Sequence, residues 1–438
     1  MSTAKRFSSF RELLSEQDGT ASALEYFEGA VKKTVSYSEL LAMADGYPLP
    51  AENTVGVFCD NSLESVAAIF ALAGKKRLVL LDPSEPEDRL REKIEKAGAA
   101  KLIGATDAEE VFPSARDGAP GDEILFFTSG TTESSKAVML DESRLCSAAY
   151  NGGSLLPLAK TDRMLSVLPH SHVFGFVCSL LWPLSFGGTV CLGRGLKRLF
   201  MDFDEFRPTV ASLVPEMAAF LAVRKLFNPE LSLVLIGAGD CSDTVLSAVR
   251  SSGIRVCFGY GLTETSSGIA LSIGEDPRAM TVCPDYKVEI EPDGEIAVTC
   301  GTTLMRGYYG DEEATARVLC GNRLLTGDLG RIEDGKLFIT GRKKEIIVLG
   351  DGTKIFLPEY EKRLAALLGA ESDFAVIQRA NGMLALYIAA PKNAEAAVDR
   401  FNFGYPRSQR IAKIVYVDSI PRTATGKVQR YLIEGEQI

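Results

Sequence analysis

Up to about residue 260 the chain alternates short apolar runs with amphipathic stretches, and this alternation constrains the fold more than any other feature. NTVGVFCD (53–60) precedes SLESVAAIFALAG (62–74), and KRLVLLD (76–82) follows. RLREKIEKAGA (89–99) leads into AKLIGAT (100–106). Farther on, LSLVLIGAG (231–239), DTVLSAVRSSG (243–253) and IRVCFGYG (254–261) repeat the order strand, helix, strand. Such an order implies βαβ units and a mostly parallel sheet. In sheets of that kind ligands bind beyond the carboxyl ends of the strands.

The pattern changes after Gly261. YKVEIEPDGEIAVTC (286–300) reads as a hairpin turning at Asp293-Gly294, and GRIEDGKLFITGR (330–342) as another turning at Asp334-Gly335. From residue 342 the chain reads as a separate unit. It has a strand in KEIIVLG, a helix in PEYEKRLAALLG, a hairpin turning at Asn381-Gly382 and a strand in AKIVYVD. The expected fold is therefore α/β: a large N-terminal domain (1–341) of βαβ-type sheets with a small β-rich subdomain, and a small α+β C-terminal domain (342–438).

The net charge of −10 argues against a nucleic-acid-binding face, since phosphate backbones need basic surfaces. Nine cysteines are scattered with no CxxC spacing, as expected of reduced, buried thiols in a cytoplasmic protein. The N-terminus, MSTAKRFSSFRELL, has no apolar signal core. Residues 164–193 contain no Asp, Glu, Lys or Arg, a length that can span a bilayer. Pro169, Pro183 and Gly187-Gly188 interrupt that run, so the expectation is strand–loop–helix–strand in a buried core and no transmembrane segment.

Four segments carry chemistry. In TSGTTESSK (128–136) backbone amides and hydroxyls can converge on phosphate oxygens, with Lys136 as a point charge. It is not the P-loop of NTPases, because Ser135 and Ala137 flank the lysine. A solvated polar turn between two strands is the other reading of these residues. GYGLTETSS (259–267) follows a strand and holds an aromatic, two glycines, Thr263 and Glu264. Asp328 in TGDLG can grip ribose hydroxyls with two acceptor oxygens, and Arg342 can contact ribose or phosphate. PRTATGKVQR (421–430) places Lys427 in a small polar turn. Singly, these read equally well as a core tyrosine turn, a hairpin aspartate and a basic tail.

Together and in this order, the four segments strongly resemble the adenylate-forming superfamily: acyl-CoA synthetases, nonribosomal peptide synthetase adenylation domains and luciferases. The resemblance runs from KTVSYSELL (33–41) to Lys427. It implies that Thr128, Ser129, Gly130, Thr131, Thr132 and Lys136 orient the β- and γ-phosphates of ATP. It implies that Tyr260 packs on adenine beside Gly261, that Thr263 meets the α-phosphate and that Glu264 helps hold Mg²⁺. Gly237, Ala238 and Gly239 match the adenine-binding loop, Asp328 the ribose-binding aspartate and Arg342 the arginine after it. Lys427 matches the lysine that clamps carboxylate and ribose-phosphate oxygens during adenylation. Lys344 matches the hinge about which the small domain rotates between half-reactions, and Gly352 in LGDGTKIF the loop that enters for thioester formation.

The two histidines of the chain both lie in LPHSHVFGF (168–176). This segment resembles the family's substrate-pocket gate, with His172 at the aromatic or histidine position. Relatives that activate α-amino acids usually carry Asp at the next position to pair the ammonium group; here it is Val173. An ammonium buried without a counter-charge costs several kcal/mol. The expected substrate is therefore a carboxylic acid without an α-amino group, with an apolar acyl or aryl tail. The implied reaction forms acyl-AMP with release of pyrophosphate and then passes the acyl group to a thiol. The first expectation for the thiol is CoA, as in fatty acid metabolism; the alternative is the phosphopantetheine of an acyl carrier protein. A non-catalytic nucleotide-binding protein is the third reading, and retention of Lys136, Glu264, Asp328 and Lys427 argues against it. The chain departs from the family in having Glu133 and Ser135 where Gly and Pro are usual, and in a short stretch between Ser267 and Tyr286.

Overall fold

In a computed structural model the described residues are 3–438, apart from 105–116, 129–134, 240, 242, 370–371, 380, 390–392, 423–427, 429 and 436–438. Two large sheets organise the chain up to the hairpins. One has nine strands and the other six. In the six-stranded sheet, Thr54–Phe58 pairs in parallel with both Arg77–Leu81 and Lys101–Ile103. In the nine-stranded sheet the parallel neighbours are Arg163–Ser166, Thr189–Leu192, Val210–Leu213, Leu233–Ile236 and Arg255–Leu262. The alternation of apolar runs and amphipathic helices thus produces the parallel core expected of it.

Antiparallel strands close the edges. Ser22–Glu28 and Val31–Ser36 form an edge hairpin. Ser267–Leu271 turns back on Arg255–Leu262. Hydrophobic clusters explain the layering. One lies between the two sheets and includes Leu24, Val57, Phe126, Leu145, Phe176, Val190 and Leu235. The helices Phe10–Ser15, Leu63–Leu72 and Glu142–Leu155 fill this layer. A second cluster covers the far face of the nine-stranded sheet under Leu199–Phe206, Pro215–Arg224 and Asp243–Ser251. A third lies beneath Glu87–Ala97 on the far face of the six-stranded sheet.

Apart from Gly307–Tyr308, the strands within residues 287–342 build a separate antiparallel sheet, with hairpins at the two Asp-Gly turns read from the sequence. Two further clusters contain only residues from Ile347 onward. They hold Leu357–Leu368, the hairpin Asp373–Gln378 with Leu384–Ala389, and Ile411–Tyr416. The uncharged run 164–193 folds as strand, helical turns and strand. Among the described residues no helix is long and apolar enough to cross a membrane.

Candidate active site

Strands Ile124–Phe127 and Ala137–Leu140 pair antiparallel, and the Ser/Thr/Gly stretch joins them. The Thr128 amide donates to the Lys136 carbonyl at 2.9 Å, closing the base of the connection. The Ser135 hydroxyl donates to the Thr128 carbonyl at 2.6 Å, and Lys96 Nζ donates to the Ser135 carbonyl at 2.8 Å. Ser129, Gly130, Thr131, Thr132 and Glu133 lie outside the described residues.

Lys136 does not point into open water. Its Nζ lies 4.4 Å from the centre of the Tyr308 ring, an attractive placement of a cation on an aromatic face. Burial, and then the positive charge of Lys344, hold its pKa below the ordinary lysine value, while Asp311 and Glu264 pull the other way. Two neighbouring lysines repel each other until an anion comes between them. Tyr308 also reaches Glu264, donating its hydroxyl to Oε1 at 2.7 Å. Burial, followed by that glutamate, raises the tyrosine's pKa. Tyr308 is placed by the short strand Gly307–Tyr308, which pairs with the strand after Lys136, and by Arg306, whose Nε donates to Asp141 at 2.9 Å. Reading the sequence by motif did not single out Tyr308. Its signal was RGYYGD (306–311), an aromatic pair between glycines.

A second group surrounds Asp328, which is 3% exposed. The Tyr260 hydroxyl donates to one carboxylate oxygen at 3.0 Å, and Arg342 Nε meets the other at 3.0 Å. Asp328 and Arg342 face each other across paired strands, so the register of the hairpin makes the pair. The strand Arg255–Leu262 runs through Tyr260 and Gly261. Its ladder shifts between those two residues. A Cβ at Gly261 would collide with the Ser267 carbonyl, so only glycine fits where the chain doubles back. Ser266 (φ 55°) and Ser267 (φ 121°) sit in left-handed backbone at this bend. Strained serines beside Thr263 and Glu264 fit a site held rigid by its surroundings.

The Gly237–Gly239 loop follows strand Leu233–Ile236, and Ala238 has φ 64°. Gly237 packs on Phe174, whose Cζ would stand 2.9 Å from an added Cβ. That contact ties this loop to the His172–Val173 segment. His172 caps the start of a helix, and its Nε2 lies 3.8 Å from Asp82 Oδ2. Burial lowers its pKa, with Asp82 opposing. Val173 is buried. His170 is different: it is wholly buried, its Nε2 lies 2.8 Å from the Ser166 hydroxyl, and burial lowers its pKa to about 4. It is a core histidine.

Lys344 stands in the short turn Lys343–Glu345, while its neighbour Lys343 pairs with Asp293 and Glu295, each at 2.7 Å. Gly352 sits in an exposed turn with φ 81°. Lys427 lies outside the described residues; on either side of it, Arg422 and Val428 pair as an isolated bridge.

A family described as AMP-binding enzyme matches residues 119–309. An indoleacetate–CoA ligase of Aromatoleum aromaticum is 29% identical over 341 residues, covering 70% of this chain and 66% of that protein. A 3-[(3aS,4S,7aS)-7a-methyl-1,5-dioxo-octahydro-1H-inden-4-yl]propanoyl:CoA ligase of Mycobacterium tuberculosis is 31% identical over 385 residues, 81% of this chain and 73% of its own length. In fold, the chain is similar to the o-succinylbenzoate CoA synthetase of Bacillus subtilis solved with its acyl-adenylate intermediate. The TM-score is 0.81 at 22% identity, with 98% of each chain covered.

Proposed function

The chain belongs to the AMP-binding, adenylate-forming enzyme family, and from that premise we propose that it is an acid–thiol ligase that consumes ATP with Mg²⁺. A carboxylate oxygen of the acid attacks the α-phosphorus of ATP, and pyrophosphate leaves with the bonding electrons. A thiol sulfur then attacks the acyl carbonyl carbon of the acyl-AMP, its proton passes to water, and AMP leaves. The names of the two relatives support CoA as the thiol.

One observation carries this reading: Lys136, Tyr308 and Glu264, drawn from three separate segments, meet at one place. The first half-reaction brings two anions together, so positive charge must be in place before they meet. Lys136 supplies it for the β- and γ-phosphates, with the loop from Thr128 to Thr132 around them. Mg²⁺ enters with ATP as part of the substrate and needs only one or two protein carboxylates. Glu264 suits that role because Tyr308 fixes its orientation. Thr263 meets the α-phosphate. Asp328 accepts the ribose hydroxyls with its two carboxylate oxygens. Tyr260, Gly261 and the Gly237, Ala238, Gly239 loop flank the adenine, and Arg342 reaches the ribose or phosphate.

Residues 342–438 act as a small mobile domain in this reading. Lys344 is its hinge, Lys427 its adenylation lysine and Gly352 part of its thiol-channel loop. His172 and Val173 line the acid pocket, and the apolar Val173 selects against an α-ammonium group. Nine cysteines with no CxxC spacing suit a cytoplasmic location. The test is pyrophosphate release over a panel of acids, repeated with CoA and with a phosphopantetheinylated carrier protein. Thioester formation on CoA supports the proposal, and transfer to the carrier alone replaces the acceptor. Absence of release with every acid defeats catalysis.

A further inference from the structure

We propose that the chain carries a second binding site, apart from the acid-activating one, and that it takes a small apolar α-amino acid. A cavity of about 240 Å³ opens between the helices Phe10–Ser15, Tyr37–Gly46 and Leu63–Leu72 and the first turn of Glu142–Leu155. Lys136 precedes the strand Ala137–Leu140 and Glu142 follows it, so the cavity lies a strand's length away from the phosphate segment. The volume is that of about eight waters. It suits a molecule the size of valine or leucine and is below the range of pockets that hold drug-sized ligands.

The lining decides the chemistry. Leu14, Ala44, Phe70 and Ala73, all buried, make an apolar floor. On the rim Arg11 and Asp45 occupy each other: Arg11 Nε donates to Oδ1 at 3.1 Å and Nη2 to Oδ2 at 2.7 Å. Lys75 and Glu142 line the same cavity and are not paired in that way. Glu142 Oε1 accepts the Phe10 amide at 2.8 Å, and among the described residues Oε2 has no hydrogen-bond partner. A Cβ on Gly74 would stand 2.5 Å from Oε2, so glycine there lets the carboxylate lie against the chain. Lys75 follows directly and has no ion-pair partner among the described residues. Burial raises the Glu142 pKa, the Phe10 amide opposes it, and the charge of Lys75 is near enough to lower it as well. A carboxylate and an ammonium thus flank one apolar floor. Glu142 repels a simple anion, Lys75 repels a simple amine, and a hydrocarbon would desolvate both charges without pairing either. A zwitterion with an apolar tail answers all three surfaces. Its ammonium meets Glu142 and its carboxylate meets Lys75 through charge-assisted bonds, and its tail covers the floor. In the proposed acid pocket Val173 selects against that same ammonium, so the two sites take different classes of acid.

Calorimetric titration of the full chain without ATP reads binding apart from any turnover, and its outcome is independent of whether the chain activates acids. The ligands are L-leucine, L-aspartate and L-leucinamide, which keeps the ammonium and loses the carboxylate charge. L-leucine should bind saturably, and L-leucinamide at least about tenfold more weakly, the scale of one lost charge-assisted bond. L-aspartate, whose tail is charged, should not bind. Glu142→Gln should weaken L-leucine by about tenfold or more. Lys75→Met, at an exposed position, should weaken L-leucine to the same degree and leave L-leucinamide unchanged, which erases the preference between the two. That loss of preference is specific to a carboxylate held by Lys75, and it decides the matter even where Glu142→Gln fails to fold. Absence of saturable heat with L-leucine, equal binding of L-leucinamide or L-aspartate to the wild type, or L-leucine binding unaltered in either variant overturns the inference.

Discussion

The Tyr308 hydroxyl donates to Glu264 Oε1 at 2.7 Å, and the ring that carries it is the surface on which Lys136 rests. One side chain thus links the cation proposed for the phosphates to the carboxylate proposed for the metal. Tyr308→Phe keeps the ring and removes the hydroxyl. A hydrogen bond to a charged group contributes about 1.5–3 kcal/mol, part of which is lost once water replaces the phenol. The Mg²⁺ concentration for half-maximal pyrophosphate release should rise by about tenfold. An unchanged Mg²⁺ requirement would mean that Glu264 is not oriented through Tyr308.

Asp328→Ala should weaken ATP binding by about tenfold or more, since each charge-assisted bond lost to ribose costs roughly 1.5–3 kcal/mol. The substitution also strands the Tyr260 hydroxyl and Arg342. Calorimetric titration with ATP measures the effect. An unaltered dissociation constant would reduce Asp328 to a residue that braces its hairpin.

Val173→Asp should not improve turnover of the native acid, because the position is buried and a carboxylate there is desolvated. It opens the pocket to α-amino acids, whose ammonium supplies a cation. Pyrophosphate exchange with both classes of acid separates the cases. A wild type that already prefers an α-amino acid would contradict the substrate class.

His170 gives the fold a pH dependence. Its folded pKa is lowered to about 4 by burial, whereas an unfolded histidine titrates near 6.5. Between those values the unfolded chain takes up a proton that the folded chain refuses. Stability contributed by the neutral imidazole is therefore intact above about 6.5 and lost as pH falls toward 4, by roughly 3 kcal/mol in all. His170→Asn should shrink the difference in urea midpoint between pH 7 and pH 4.5. A difference as large as that of the wild type would place the acid sensitivity elsewhere.

The sequence exposed what local pattern determines. The apolar run Arg77–Leu81 and the Asp334-Gly335 turn state their conformations in a few residues, and both fold as read. Asp328 and Arg342 were separately legible as polar residues in a hairpin, and strand register brings them together. Tyr308 was not legible, because its role depends on a two-residue strand pairing with a segment far away in sequence. The close approach of the Ser267 carbonyl to Gly261 was not legible, because it depends on where the chain doubles back after Leu262.

Exchange of labelled pyrophosphate into ATP, with Mg²⁺ present and every thiol acceptor omitted, tests the central claim most directly. It reads the reversible formation of acyl-AMP and nothing later. Label should enter ATP only when a suitable acid is supplied, and Lys136→Ala, Glu264→Ala and Lys427→Ala should each suppress it. Label that enters without any acid, ATP cleaved to ADP, or no exchange with any acid across the panel would contradict an adenylating ligase.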